Sequence, residues 1–300
     1  MPLALSEEVS TIIRALVEKI APAVVGINRR GSGVVIADGL VATNVHNLDG
    51  PEVAVTFAGG QTATGNVAGA DVDRDIAVIR VETAGIVPFV DASRQSEVGD
   101  VVFGLSRPGG RELRVTVGTV SSLGRAFRGP RGRRVSGGLE HTAPLPRGSS
   151  GGPVVDRDGR LVGLNTHRVE DGFYVALPAG DALRTFVEQA ASGDLPNRRT
   201  LGVAVMPPHV ARRLRATVGL PPIDAPLVRG VIDASPAAQA GIRRGDVIVR
   251  ADDNTIASVD DLHRALDGVG STIRFGIVRG TDEIEVLVDF DATDAQGGEA

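Results

Sequence analysis

The hexapeptide Gly148-Ser149-Ser150-Gly151-Gly152-Pro153 decides how the rest of this chain is read. Glycines around a serine let the backbone turn sharply and aim successive N–H groups at one point. A serine hydroxyl at such a turn can attack a carbonyl if a base takes its proton and donors hold the oxyanion. Alone the run is weak, because Gly/Ser clusters are usually plain loops. Its company strengthens it. Thr43-Asn44-Val45-His46 ends an apolar stretch, and Asp75 opens the strand-like Ile76-Ala77-Val78-Ile79.

The order His46, Asp75, Ser150 is that of the chymotrypsin-type arrangement, not of the subtilisin or α/β-hydrolase ones. Asp71 and Asp73 compete with Asp75 on spacing alone, but only Asp75 abuts the apolar run. A lone His46 would read as an ordinary surface or core histidine; its block makes it the candidate base. His141, His167, His209 and His263 have no metal-ligand spacing, and there is no cysteine, so no metal site is expected.

Three hundred residues, 42% of them hydrophobic, can bury more than one core, so two domains are expected. The net charge of −5 argues against nucleic acid as the main partner. Absence of cysteine removes any disulfide framework. Met1 to Leu5 is too short for a secretion signal, and no run approaches the ~18 apolar residues of a membrane span. The expectation is a cytoplasmic protein without membrane contact, or a periplasmic or extracytoplasmic one if the chain is trimmed.

Ser6 reads as the cap of a helix whose stripe is Val9, Ile12, Ile13, Leu16, Val17 and Ile20, ended by Pro22. From Ala23 to about Leu177 the pattern is short strands and Gly-rich turns, which suggests barrels. Asp156-Arg157-Asp158-Gly159 reads as a hairpin turn, and a helix covers about Ala182 to Ala190. The mixed segment beyond has strand-like Leu201 to Val205, Val228 to Ile232, Val247 to Ala251, Thr272 to Val278 and Ile284 to Val288. Its clearest helix starts at Ser258, with Asp261 three residues on as in a capping box.

The chain resembles the HtrA/Deg family of trypsin-like serine proteases with one C-terminal PDZ domain. The resemblance rests on Gly31-Ser32-Gly33-Val34-Val35-Ile36 with Thr43-Asn44-Val45-His46, on Asp71 to Val81, and on the Ser150 block. Ser235-Pro236-Ala237-Ala238-Gln239-Ala240-Gly241-Ile242 followed by Gly245-Asp246-Val247-Ile248 carries it into the second segment. It implies a mainly β chain: a chymotrypsin-like double β-barrel, then an α+β PDZ domain. The expected parts are an N-terminal helical segment (1–22), a protease domain (23–191), a linker (192–199), the PDZ domain (200–290) and a disordered tail (291–300).

The resemblance implies that Ser150 is the nucleophile, His46 the general base and Asp75 its orienting carboxylate, with Gly148 and Ser150 N–H groups as the oxyanion hole. Arg125, after Leu123-Gly124, matches the family's activating arginine, although Arg125 to Arg134 alone reads as a solvated charged loop. Thr142 stands where an Asp is common, and Ser149 where Asn is common. The position six before Ser150 is Pro144, followed by Leu145. Without a buried acid there, a cationic side chain would be desolvated unpaired. Cleavage after small or medium apolar residues is therefore expected, with unfolded chains as substrates.

In the PDZ part the N–H groups of Leu201, Gly202 and Val203 would receive a peptide carboxylate. Val203, Leu262 and Leu266 would line the pocket for its last side chain. No cofactor is implied. The family's homotrimer is left open, since the N-terminal segment lacks the aromatic residues that support it. The rivals are a latent or inactive protease acting as a peptide-binding holdase, and a serine esterase.

Overall fold

In the computed structural model, residues 2–83, 85–89, 95–129, 132–195, 199–267 and 269–292 are described. The chain divides into two compact units, Met1–Leu195 and Pro196–Ala300. Pro196, Asn197 and Arg198 of the expected linker, and residues 293–300 of the expected tail, lie outside the described residues.

The first unit opens with α1 (Pro2–Ile20) and a 3-10 turn at Ala21–Ala23. The helix therefore starts at Pro2 and not after Ser6: proline suits the first helical turn, where its missing N–H costs nothing. Leu16 and Ile20 are buried in the core, and Lys19 Nζ donates to the Asp158 carbonyl at 2.7 Å.

Six strands then close a barrel: β1 (Val24–Ile27), β2 (Gly31–Ala37), β3 (Leu40–Thr43), β4 (Glu52–Thr56), β5 (Thr62–Asp71) and β6 (Ile76–Arg80). Their order is β1-β2-β3-β6-β5-β4. A second barrel repeats the order as β7-β8-β9-β12-β11-β10. Its strands are β7 (Val101–Ser106), β8 (Arg114–Arg128), β9 (Arg134–His141), β10 (Pro153–Val155), β11 (Leu161–Glu170) and β12 (Phe173–Pro178). α2 (Asp181–Ser192) follows. Few aromatics are available, so Val, Ile, Leu and Ala fill the core; Val24, Val25, Ile27, Ile79, Leu105 and Leu164 are fully buried.

The stretch Arg125 to Arg134 is not a plain loop. β8 continues to Arg128, and β9 pairs with it from Arg134, with Arg125 opposite Gly138. Phe127 is buried, while Arg125 and Arg128 on the same strand are exposed.

The second unit is a sheet of order β13-β14-β15-β17-β18, with β16 beside β15. Its strands are β13 (Val203–Met206), β14 (Leu227–Val231), β15 (Val247–Ala251), β16 (Asn254–Thr255), β17 (Thr272–Arg279) and β18 (Asp282–Asp289). The edge strand starts at Val203 and not at Leu201, because Gly202 sits at φ +78 and breaks the extended run. Helices α3 (Pro208–Thr217), α4 (Pro236–Gln239) and α5 (Val259–Leu266) complete it. Ser258 caps α5 by accepting from Asp261 N at 3.0 Å, and Asp261 Oδ2 accepts from Ala257 N at 3.1 Å.

Candidate active site

Strand register brings the candidate residues to barrel ends. Thr43 on β3 pairs with Ala77 on β6, so His46, three residues on, and Asp75, two residues back, leave the barrel at one end. Pro153 on β10 pairs with Leu164 on β11, which likewise sets Ser150 near Thr166.

Asp75 is fully buried at φ +60, a left-handed conformation that Asp tolerates better than most residues. Its Oδ2 accepts from His46 Nδ1 at 2.7 Å and from Thr166 Oγ1 at 2.8 Å, and its Oδ1 accepts from His46 N at 3.2 Å. Two of these three donors belong to His46, so the buried carboxylate holds it by both main chain and ring. Nδ1 then carries the proton and Nε2 is left with its lone pair. Asn44 Nδ2 ties down the Asp75 carbonyl at 2.7 Å. The rival carboxylates are spent elsewhere: Asp71 accepts from Arg74 N at 3.0 Å, and Asp73 pairs with Arg133 at 3.3 Å.

Ser150 Oγ donates to the Thr166 carbonyl at 3.2 Å, and no hydrogen bond joins it to His46. Its own carbonyl accepts from Ser32 N at 3.1 Å and Asn47 Nδ2 at 2.9 Å, while Ser32 Oγ donates to the Gly148 carbonyl at 2.8 Å. With these carbonyls held by the first barrel, no acceptor among the described residues takes the N–H of Gly148 or Ser150. Gly148 sits at φ +90, and a Cβ there would lie 2.1 Å from the Arg30 carbonyl oxygen. Only glycine fits.

Pro144 is exposed and Leu145 half-buried, its side chain lying against Gly104 of β7. Thr142 bridges back to β8, its Oγ1 accepting from Thr119 N at 3.0 Å. Arg125 lies between Glu140 at 3.3 Å and Glu170 at 3.3 Å, tying β8 to β9 and β11. His167 stacks on His46 with ring centroids 6.0 Å apart, meets Phe127 edge-on at 5.3 Å, and donates from Nε2 to the Arg128 carbonyl at 2.9 Å.

Ser32, Asn47, Asn165 and Thr166 were not singled out as site residues from the sequence. The available signal was a small polar residue set within an otherwise apolar strand, as in Gly31-Ser32-Gly33-Val34 and Gly163-Leu164-Asn165-Thr166.

In the second unit Leu201 and Leu262 are buried, and Val203 and Leu266 pack against the same apolar cluster. Among the described residues β13 pairs with β14 alone, which leaves its other edge open. Among the described residues the N–H groups of Leu201 and Gly202 have no acceptor, whereas their carbonyls accept from Ala237 N at 3.0 Å and Ile232 N at 2.8 Å.

Among the described residues no cluster of side chains has the makings of a metal site, and no helix is long and apolar enough to cross a membrane. A trypsin-like peptidase domain matches residues 31–164, and a PDZ domain matches residues 200–290. HhoA of Synechocystis, which carries the name of a serine protease, is 33% identical over 276 residues, covering 86% of this chain and 70% of that protein. A DegP-like protein of Bartonella henselae, named as a periplasmic serine endoprotease, is 32% identical across 87% of this chain, which spans only 53% of it. A solved serine endoprotease of Yersinia pestis superposes with a TM-score of 0.61 at 27% identity, covering 91% of this chain and 95% of that one. Ordered blocks, two barrels of one strand order, a following PDZ sheet and these relatives agree: the chain belongs to the HtrA family of trypsin-like serine proteases.

Proposed function

We propose that this chain cleaves unfolded polypeptides after small or medium apolar residues, with Ser150 as nucleophile. The observation that carries the assignment is the buried Asp75 carboxylate with three donors, two of them from His46. Ser150 Oγ attacks the scissile carbonyl as His46 Nε2 takes its proton, and Asp75 stabilises the imidazolium. The oxyanion goes to the N–H groups of Gly148 and Ser150, each worth about 3 kcal/mol in the transition state. His46 then gives the proton to the leaving amine, and water releases the acyl group by the same steps in reverse.

The apolar Leu145 and the lack of an acid at Pro144 support the substrate preference. Arg125 is proposed as the lever of the β8–β9 hairpin, which reaches His46 by way of Phe127 and His167. The open edge of β13 and the unclaimed N–H groups of Leu201 and Gly202 support capture of peptide C-termini by strand addition, with Val203, Leu262 and Leu266 facing the last side chain.

A second reading is a latent enzyme that binds peptides at rest. It is favoured by one contact: Ser150 Oγ donates to Thr166 and not to His46. Degradation of unfolded casein by the wild type and S150A, with and without peptides ending in apolar residues, separates the two. Cleavage by the wild type without peptide supports an enzyme competent at rest. Cleavage only with peptide supports latency, and none under any condition leaves the holdase.

A further inference from the structure

Beside Ser150 lies a buried polar pair that the triad does not use. Asn165 and His141 are 1% and 0% exposed. Asn165 spends nearly all its polar groups on the segment just after the nucleophile. Its N–H donates to the Gly152 carbonyl at 2.9 Å, and its carbonyl accepts from Gly151 N at 2.7 Å. Its Nδ2 donates to the carbonyls of Gly152 at 3.1 Å and Pro153 at 3.4 Å. That leaves Oδ1, which faces His141 Nε2 at 2.9 Å.

The tautomer follows from this accounting. Nδ2 is the donor toward two carbonyls, so Oδ1 is the acceptor and His141 carries its proton on Nε2. Nδ1 then bears a lone pair, and among the described residues nothing donates to it. An orphaned buried polar atom costs ~1–3 kcal/mol, which an apolar side chain of similar size would avoid. The imidazole thus weakens the fold at one nitrogen while its other nitrogen orients an amide beside the reacting hydroxyl.

We propose that His141 is a positioning residue: through the Asn165 amide it holds the Gly151-Gly152-Pro153 segment, and with it Ser150, in working register. The proposal rests on Ser150 being the nucleophile. Asn165 is followed by Thr166, whose hydroxyl reaches Asp75 and whose carbonyl takes Ser150 Oγ. A turn of the amide therefore disturbs both halves of the site. Without the Nε2–H, a flipped amide would set Oδ1 against two carbonyl oxygens, and an unflipped one would leave Oδ1 buried and bare.

The test uses the full chain, with H141L, H141M and H141Q beside the wild type. The readouts are kcat and KM on a peptide cleaved after an apolar residue, and labelling by a fluorophosphonate. Losing one charge-free buried hydrogen bond and its alignment predicts a ~10–100-fold fall in kcat for H141L with little change in KM. H141Q, whose amide can donate to Asn165, restores most of it. H141M stands in if H141L does not accumulate folded. In the wild type, nitrogen NMR is expected to find the His141 proton on Nε2. Unchanged kcat in H141L, equal losses in H141L and H141Q, or a proton on Nδ1 overturns the proposal. A folded wild type that the fluorophosphonate never labels overturns the assignment of Ser150 as well.

Discussion

Thr166 and Asp75 are joined by a 2.8 Å hydrogen bond from the threonine hydroxyl to the buried carboxylate, so the second barrel completes the environment of a residue held by the first. Removing a donor from a buried charge costs about 1.5–3 kcal/mol, or roughly 10–150-fold. Thr166→Val is expected to lower kcat/KM by that order with folding intact, and Thr166→Ser to keep most of it. Steady-state kinetics on the two variants check this.

Ser150→Ala should abolish casein cleavage, the loss being about six powers of ten where the nucleophile is removed. Asp75→Asn should cost about 10⁴ in kcat, because the amide favours the wrong imidazole tautomer. A thermal melt of each variant beside the kinetics separates lost chemistry from lost fold.

Gly148→Ala places a methyl 2.1 Å from the Arg30 carbonyl oxygen at φ +90. The turn must rearrange, so the expected outcome is loss of activity together with a lower Tm. Gly50→Ala, where a Cβ has open space, serves as the control in the same melting experiment.

Burial holds His141 at about 4, against an ordinary value of 6.5, with the Asn165 hydrogen bond and the charge of Glu140 opposing the shift. The folded chain keeps this imidazole neutral where the unfolded chain takes a proton. Stability should fall as pH drops from about 6.5 toward 4 and level off below, by roughly 3 kcal/mol in all. Urea unfolding at pH 7 and pH 5 should show the slope in the wild type and a flatter one in H141Q.

A peptide ending in a free apolar residue should bind the isolated full chain S150A more tightly than its amidated form. The expected ratio is tenfold or more, since hydrogen bonds to a charged group are worth about 1.5–3 kcal/mol each. Fluorescence polarisation with both peptides measures it.

Much of this was legible in the residues because it depends on local chemistry. Apolar runs of β-branched residues between Gly-rich turns become strands wherever they are, and the chain order His46, Asp75, Ser150 survives folding unchanged. Ser258 with Asp261 starts a helix by contacts that span three residues. Local signals also misled: Arg125 to Arg134 looked like a wet loop, yet pairing across the barrel extends it into a hairpin. α3 starts at Pro208, and proline is at home in a first helical turn.

What the sequence by itself determined was the ordered set of side chains and the two-unit division, both written in short-range pattern. The tertiary structure alone decided which polar groups meet. Thr166 finds Asp75 across 91 positions, Ser32 holds Gly148 across 116, and Asn165 is oriented by His141 across 24. The reason is physical. A buried donor is worth its hydrogen bond only where the fold has already excluded water, and that exclusion comes from the packed barrels rather than from any one segment.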